Sequence, residues 1–186
     1  MPTKKRSSHV RRTVPKASAK SHAASSLKPI PNEVAARYCD GQEKKVCEAL
    51  APFGKVQIYP HQRMVVLERA ADQTQAKVQA ALEDLQAAGL LEFVTPVLLD
   101  RASNTRQVLT DEIVLRLKPG RTERELDALK TEHGLEIGRR NEFEPSQYIV
   151  KVPKPSGTTT LDVARSLDQS DDVEFASPNF LTQVKR

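Results

Sequence analysis

The stretch Asp172-Val173-Glu174-Phe175-Ala176-Ser177-Pro178-Asn179-Phe180-Leu181-Thr182-Gln183-Val184-Lys185-Arg186 decides the fold, because a related stretch occurs earlier as Leu91-Glu92-Phe93-Val94-Thr95-Pro96-Val97-Leu98-Leu99-Asp100. The later copy reads as a short strand, 173–176, with Val173 and Phe175 alternating to one side. Ser177-Pro178-Asn179 is expected to stop it, since proline cannot donate to a sheet ladder. Beyond that corner, 180–186 holds no Gly, Pro or acidic residue and could extend and pair by backbone in another protein's cleft.

Working outward, the match between the two stretches belongs to a longer internal repeat. Residues 32–41, NEVAARYCDG, lie over 111–120, DEIVLRLKPG, with Glu, Arg and Gly shared outright. Val56 and Ile58 fall over Leu135 and Ile137, and Glu92, Phe93 and Pro96 over Glu174, Phe175 and Pro178. Each copy carries the same succession of periods. In the second, 111–118 alternates as a strand and ends at Pro119-Gly120. Thr122 and Glu125 form a capping box that opens a helix bearing Leu126 and Leu129, and His133-Gly134 closes it. Leu135 and Ile137 begin a second strand, 147–152 is a third, 159–168 has helical spacing, and 173–176 is the fourth strand. The first copy supplies 33–39, 43–52, 55–58, 64–68, 74–88 and 91–94.

Strand, helix, strand, strand, helix, strand is the split βαβ, or ferredoxin-like, order. The predicted fold is therefore α+β: two tandem ferredoxin-like (βαββαβ) units, each a four-stranded antiparallel sheet with two helices on one face and the other face uncovered. The expected boundaries are a disordered basic tail at 1–30, a first unit at 31–99, a linker at 100–109, a second unit at 110–181 and an extended tail at 182–186.

Charge divides unevenly along the 186 residues. Eight of the 29 basic residues and none of the 24 acidic ones lie in 1–30, so the net +5 splits into +8 there and −3 over 31–186. That leader is too polar to recover the entropy of ordering, and it lacks the apolar core of a secretory signal, which favours a cytoplasmic over a secreted chain. It could touch nucleic acid or an anionic surface, resemble a transit peptide, or be simply solvated. No apolar run is long enough to cross a bilayer. Cys39 and Cys47 make no disulfide framework, and Cys47 falls where the second copy has Leu126, as a small buried hydrophobe would. There is no Gly-rich phosphate loop and no metal-spaced cluster, so no cofactor and no metal is expected. His9, His22, His61 and His133 are dispersed, and His133 at a helix end reads as a charge on the dipole rather than a catalyst.

The segments TDEIVLRLKPG (110–120), HGLEIGRR (133–140), SQYIVKV (146–152) and VEFASPNFL (173–181) resemble the N-terminal prodomain of fervidolysin-like, subtilisin-type serine peptidases. The first copy, up to EFVTPVLLD, resembles a degenerate tandem prodomain, and together the resemblance covers 31–186. It implies a domain that templates folding of the protease and then inhibits it. The open sheet face would dock on helices of the protease, and Phe180, Leu181, Thr182, Gln183, Val184, Lys185 and Arg186 would enter the active-site groove, with Lys185 or Arg186 before the scissile bond. Ser177 and Asn179 stand where related prodomains place helix-capping carboxylates. No catalytic triad is present, so the chain is expected to be a non-enzyme: an inhibitor or chaperone acting in trans, or the prodomain half of a split or truncated protease. The alternative is a ferredoxin-like RNA-binding or other interaction module using the basic leader. Such a module reads bases with aromatics on its central strands, where the second copy offers only Tyr148.

Overall fold

Alternating apolar residues and amphipathic helices divide the chain much as their periods dictate. A computed structural model describes residues 27–183. The strands are β1 (Leu27–Tyr38), β2 (Gly54–Tyr59), β3 (Met64–Arg69), β4 (Leu91–Asp100), β5 (Thr105–Leu117), β6 (Glu136–Arg140), β7 (Gln147–Lys151) and β8 (Val173–Gln183). The helices are α1 (Glu43–Leu50), α2 (Gln75–Ala87), α3 (Glu123–His133) and α4 (Thr159–Asp168). The fold is α+β, with eight antiparallel strands and four helices among the described residues.

Local chemistry sets the helix ends. At α3 the Thr122 hydroxyl accepts from the Arg124 amide at 3.3 Å, and the Glu125 carboxylate accepts from the Thr122 amide at 2.7 Å. The Thr122 hydroxyl, which donates to Glu125 at 2.6 Å, and then the Thr122 amide stabilise the ionised form and hold the Glu125 carboxyl below its ordinary range. Gly134, at φ +62°, turns the chain out of α3 in the left-handed conformation that a side chain would resist. Thr74 caps α2 by accepting from Lys77 N.

All the strands join one sheet in the order β2-β3-β1-β4-β5-β7-β6, with β8 along β5. Strand β5 joins the two halves. Residues 105–108 of it pair with β4 and 112–116 with β7, while its other edge runs beside β8 from Arg106 to Leu117. Under the helices lie two cores. Val46 and Leu50 of α1 with Val78, Leu82 and Leu85 of α2 cover Ala36, Tyr38, Val65, Leu67 and Leu91. Leu126, Leu129, Ala164 and Leu167 cover Ile113, Leu115, Leu117, Tyr148 and Val150. Cys47 is half-buried against the first core, where burial and then Glu43 and Glu48 push its thiol up.

Several expectations are corrected. Four strands overrun their expected limits, and the overruns pair with one another: 27–29 with 98–100, 97–100 with 105–108, and 106–109 with 180–183. The expected linker at 100–109 is thus a hairpin turn and the start of β5, with Val108 and Leu109 buried. Residues 27–30 of the expected disordered leader lie in β1; the rest of that leader falls outside the described residues. Nor does Pro178 stop β8. It pairs opposite Ile113 beside a register shift, as Pro96 pairs opposite Val34 beside another, and a strand tolerates proline where its ladder is already interrupted.

The first half's sheet face is not open either. Away from the helices, Ala35, Met64, Val66, Phe93, Val97 and Val108 form a third buried cluster, with Ile30, Tyr59 and Leu181 packed against it. A further shift between Arg116 and Leu117 separates Val173 from Phe175. Val173 enters the helix-side core, whereas Phe175 lies half-buried on the opposite face under the Arg116 guanidinium, 5.1 Å from its ring centre.

Candidate functional site

The C-terminal residues singled out by sequence go to different surroundings. Ser177 is exposed opposite Val114. Asn179 is half-buried; its amide donates to Glu112 Oε2 at 2.9 Å, and its carbonyl accepts from the Thr110 hydroxyl at 2.8 Å. Its side chain is thus already engaged within the chain, not held out for a partner helix. Phe180, Leu181, Thr182 and Gln183 pair with Leu109, Val108, Gln107 and Arg106, and Leu181 packs on the third cluster. Val184, Lys185 and Arg186 lie outside the described residues. The expected free tail at 182–186 therefore begins no earlier than residue 184, because two of its residues extend β8.

Where β8 crosses the first half, a polar cleft of about 350 Å³ opens between the halves, lined by Arg37, His61, Arg63, Thr110, Glu112 and Asn179 among others. Its charges are mostly compensated. Arg37 lies 2.7 Å from Asp111 and over the Phe93 ring at 4.9 Å, and Arg63 lies 2.7 Å from Glu92. Glu33 and Arg106 form a second ion pair between the halves. Both inter-half pairs are largely buried, where losing one partner strands a charge. Sequence inspection missed these pairings, although the alignment of Arg37 with Arg116 marked both arginines; nothing local relates Arg37 to Asp111.

The other candidate surface is the second half's sheet face away from α3 and α4. Across it Phe175, Arg116 and Gln147 form one row, and Ser177, Val114 and Ile149 the next. Val114, Ile149 and Phe175 are half-buried, and of the three buried clusters among the described residues none lies here. Arg116 also reaches Glu144 at 3.7 Å and Glu174 at 3.9 Å. Beside this face β8 has β5 on one side and, among the described residues, no strand on the other. Its outer backbone groups form an edge that an extended segment could join.

The described residues contain no group of three His, Cys, Asp or Glu side chains placed to hold a metal ion. His133 sits at the end of α3, 3.9 Å from Glu132, and His61 in the turn before β3. Among the described residues no helix is long and apolar enough to cross a membrane.

No family model matches the chain, and no curated protein matches it. Among solved structures, the small subunit of acetolactate synthase from Thermotoga maritima is similar over 83% of this chain and 96% of that chain. The identity is 12% and the TM-score 0.28, a likeness too slight to carry over a fold or a function.

Proposed function

We propose that this chain is a propeptide-like partner of a subtilisin-type serine protease, an inhibitor or folding template that docks through its second half. In this reading each βαββαβ half is a ferredoxin-like unit, and the chain performs no chemistry of its own. The observation that carries the proposal is the contrast between the two sheet faces. The first half's face is filled by the third cluster and Leu181, whereas the second half keeps a face with Val114, Ile149 and Phe175 half-exposed beside an edge of β8 that no strand among the described residues pairs. A partly apolar sheet face suits packing on surface helices, and a strand edge suits backbone pairing.

The pairing of β8 changes how the tail would act. Residues 180–183 are held by β5, so the segment left to enter an active-site groove is 184–186, unless the last pairs of β8 open. A product-like inhibitor of this kind gains its residence time from the docked surface, and the short tail sets where it lies in the groove. The RNA-binding alternative has less support, since Tyr148 lies beneath α3 and α4, and Phe175 on the open face has the Arg116 guanidinium over its ring.

The test is to titrate the purified chain into a panel of subtilisin-type proteases while following cleavage of a small peptide substrate, beside a form lacking 184–186. Tight inhibition that weakens about tenfold or more on removing those residues is expected. A chain that every enzyme digests or ignores would overturn the proposal.

A further inference from the structure

Phe143 is 95% exposed, against 43% and 38% for Ile137 and Ile58, the other large apolar side chains that face solvent among the described residues. It stands on the loop joining β6 to β7, and that loop is held firmly. The Asn141 amide donates to Gln147 O at 2.9 Å and the Gln147 amide to Glu144 O at 2.9 Å. The Asn141 side chain accepts from the Phe143 amide at 2.9 Å, Arg140 Nε donates to Pro145 O at 2.7 Å, and the Ser146 hydroxyl donates to Glu144 at 2.8 Å. The Leu117 amide bonds Ser146 O at 3.0 Å, tying the loop to β5. None of these bonds uses the Phe143 ring, so the loop's shape does not depend on it. A large apolar group held in water on a preorganised support has already lost the loop entropy that binding would otherwise cost.

The loop also borders the face assigned above to the protease. Glu144 reaches Arg116, whose guanidinium lies over Phe175 on that face. We propose that Phe143 is the anchor of that docked interface, inserting into an apolar pocket on the protease surface whose rim is basic, to match Glu142 and Glu144, which flank Phe143 in sequence. The inference builds on the protease reading and adds to it the residue that supplies most of the contact energy, at the margin of the sheet face and away from the active-site groove. A rigid aromatic side chain entering a desolvated pocket is the usual form of such an anchor.

The experiment compares the full chain with Phe143→Ala and Phe143→Leu, measuring inhibition of whichever enzymes the unmodified chain inhibits, together with each protein's thermal midpoint. Phe143→Ala should weaken inhibition about 30-fold or more, and Phe143→Leu, which keeps an apolar side chain, only a few-fold, by about the margin of a conservative change at an anchor. Both midpoints should match the unmodified chain. Equal inhibition by Phe143→Ala would overturn the anchor and leave the protease reading standing. A fall in midpoint would show that the ring packs within its own chain, and would overturn it as well. If the unmodified chain inhibited no enzyme of the panel, the protease reading would fail and the anchor with it.

Discussion

At the scale of residues, the internal repeat has unequal consequences. Arg37 lies over Phe93 and Arg116 over Phe175, the same pair in each half, yet Phe93 is 2% exposed within the third cluster and Phe175 is half-buried on an open face. Phe93→Ala should cost about 3–5 kcal/mol, as expected for emptying a closed site, and Phe175→Ala about 1 kcal/mol, since water can refill an open one. Urea unfolding of the two variants tests the contrast, and equal costs would contradict the burial described. Tyr38 supplies a pH dependence. Burial, and then its hydrogen bond to Glu43, raises its phenol from 10.0 to about 12. The folded chain thus holds the proton more tightly than the unfolded chain does. The associated stability is fully present below pH 10 and is lost as the pH climbs toward 12. In Tyr38→Phe the fall in urea midpoint across that window should be shallower than in the unmodified chain.

At the scale of elements, β8 is the strand whose extent matters most. Had it ended at Pro178, removing 180–186 would leave the fold's stability unchanged. Because Leu181 packs on the third cluster and 180–183 pair with β5, that truncation should instead lower stability by about 1–3 kcal/mol, the worth of one partly buried leucine and a few ladder bonds. A chemical melt of the truncated chain beside one lacking only 184–186 separates the two cases, and no loss from the longer truncation would show that the last pairs of β8 add nothing. The helices were legible in detail: 159–168 was read to the residue, and Thr122, Glu125 and Gly134 marked both ends of α3. The strands were legible in number and order but not in length. Alternation shows that a strand is present, whereas its end depends on how long a partner remains beside it. Val97, Leu98, Val108 and Leu109 were the available signal, an apolar run on both sides of a polar turn, which a reading of 100–109 as a linker passed over.

At the scale of the whole molecule, the halves are joined by more than a peptide connection. The β4–β5 hairpin, the third cluster and the pairs Arg37–Asp111 and Glu33–Arg106 all cross between them. The described chain should therefore unfold in one cooperative transition by calorimetry. Val108→Asp would place a charge inside the cluster both halves share, where Val108 is 0% exposed, and should separate the transition into two. Two transitions in the unmodified chain would show that the halves do not support each other.

By itself, the sequence determined the local elements of the described residues: four helices, eight strands in the order βαββαβ twice over, and the apolar positions beneath the helices. These depend on contacts between near neighbours, whose spacing is written directly in the residue pattern. Only the tertiary structure decided that the long strands run on past their prolines to pair with one another, that one sheet face is filled while the other stays open, and that 180–183 belong to the fold. Those outcomes depend on register between segments some seventy residues apart in sequence, such as Leu109 with Phe180. A backbone group's choice between water, its own chain and a partner is settled by which of them the folded molecule brings within reach.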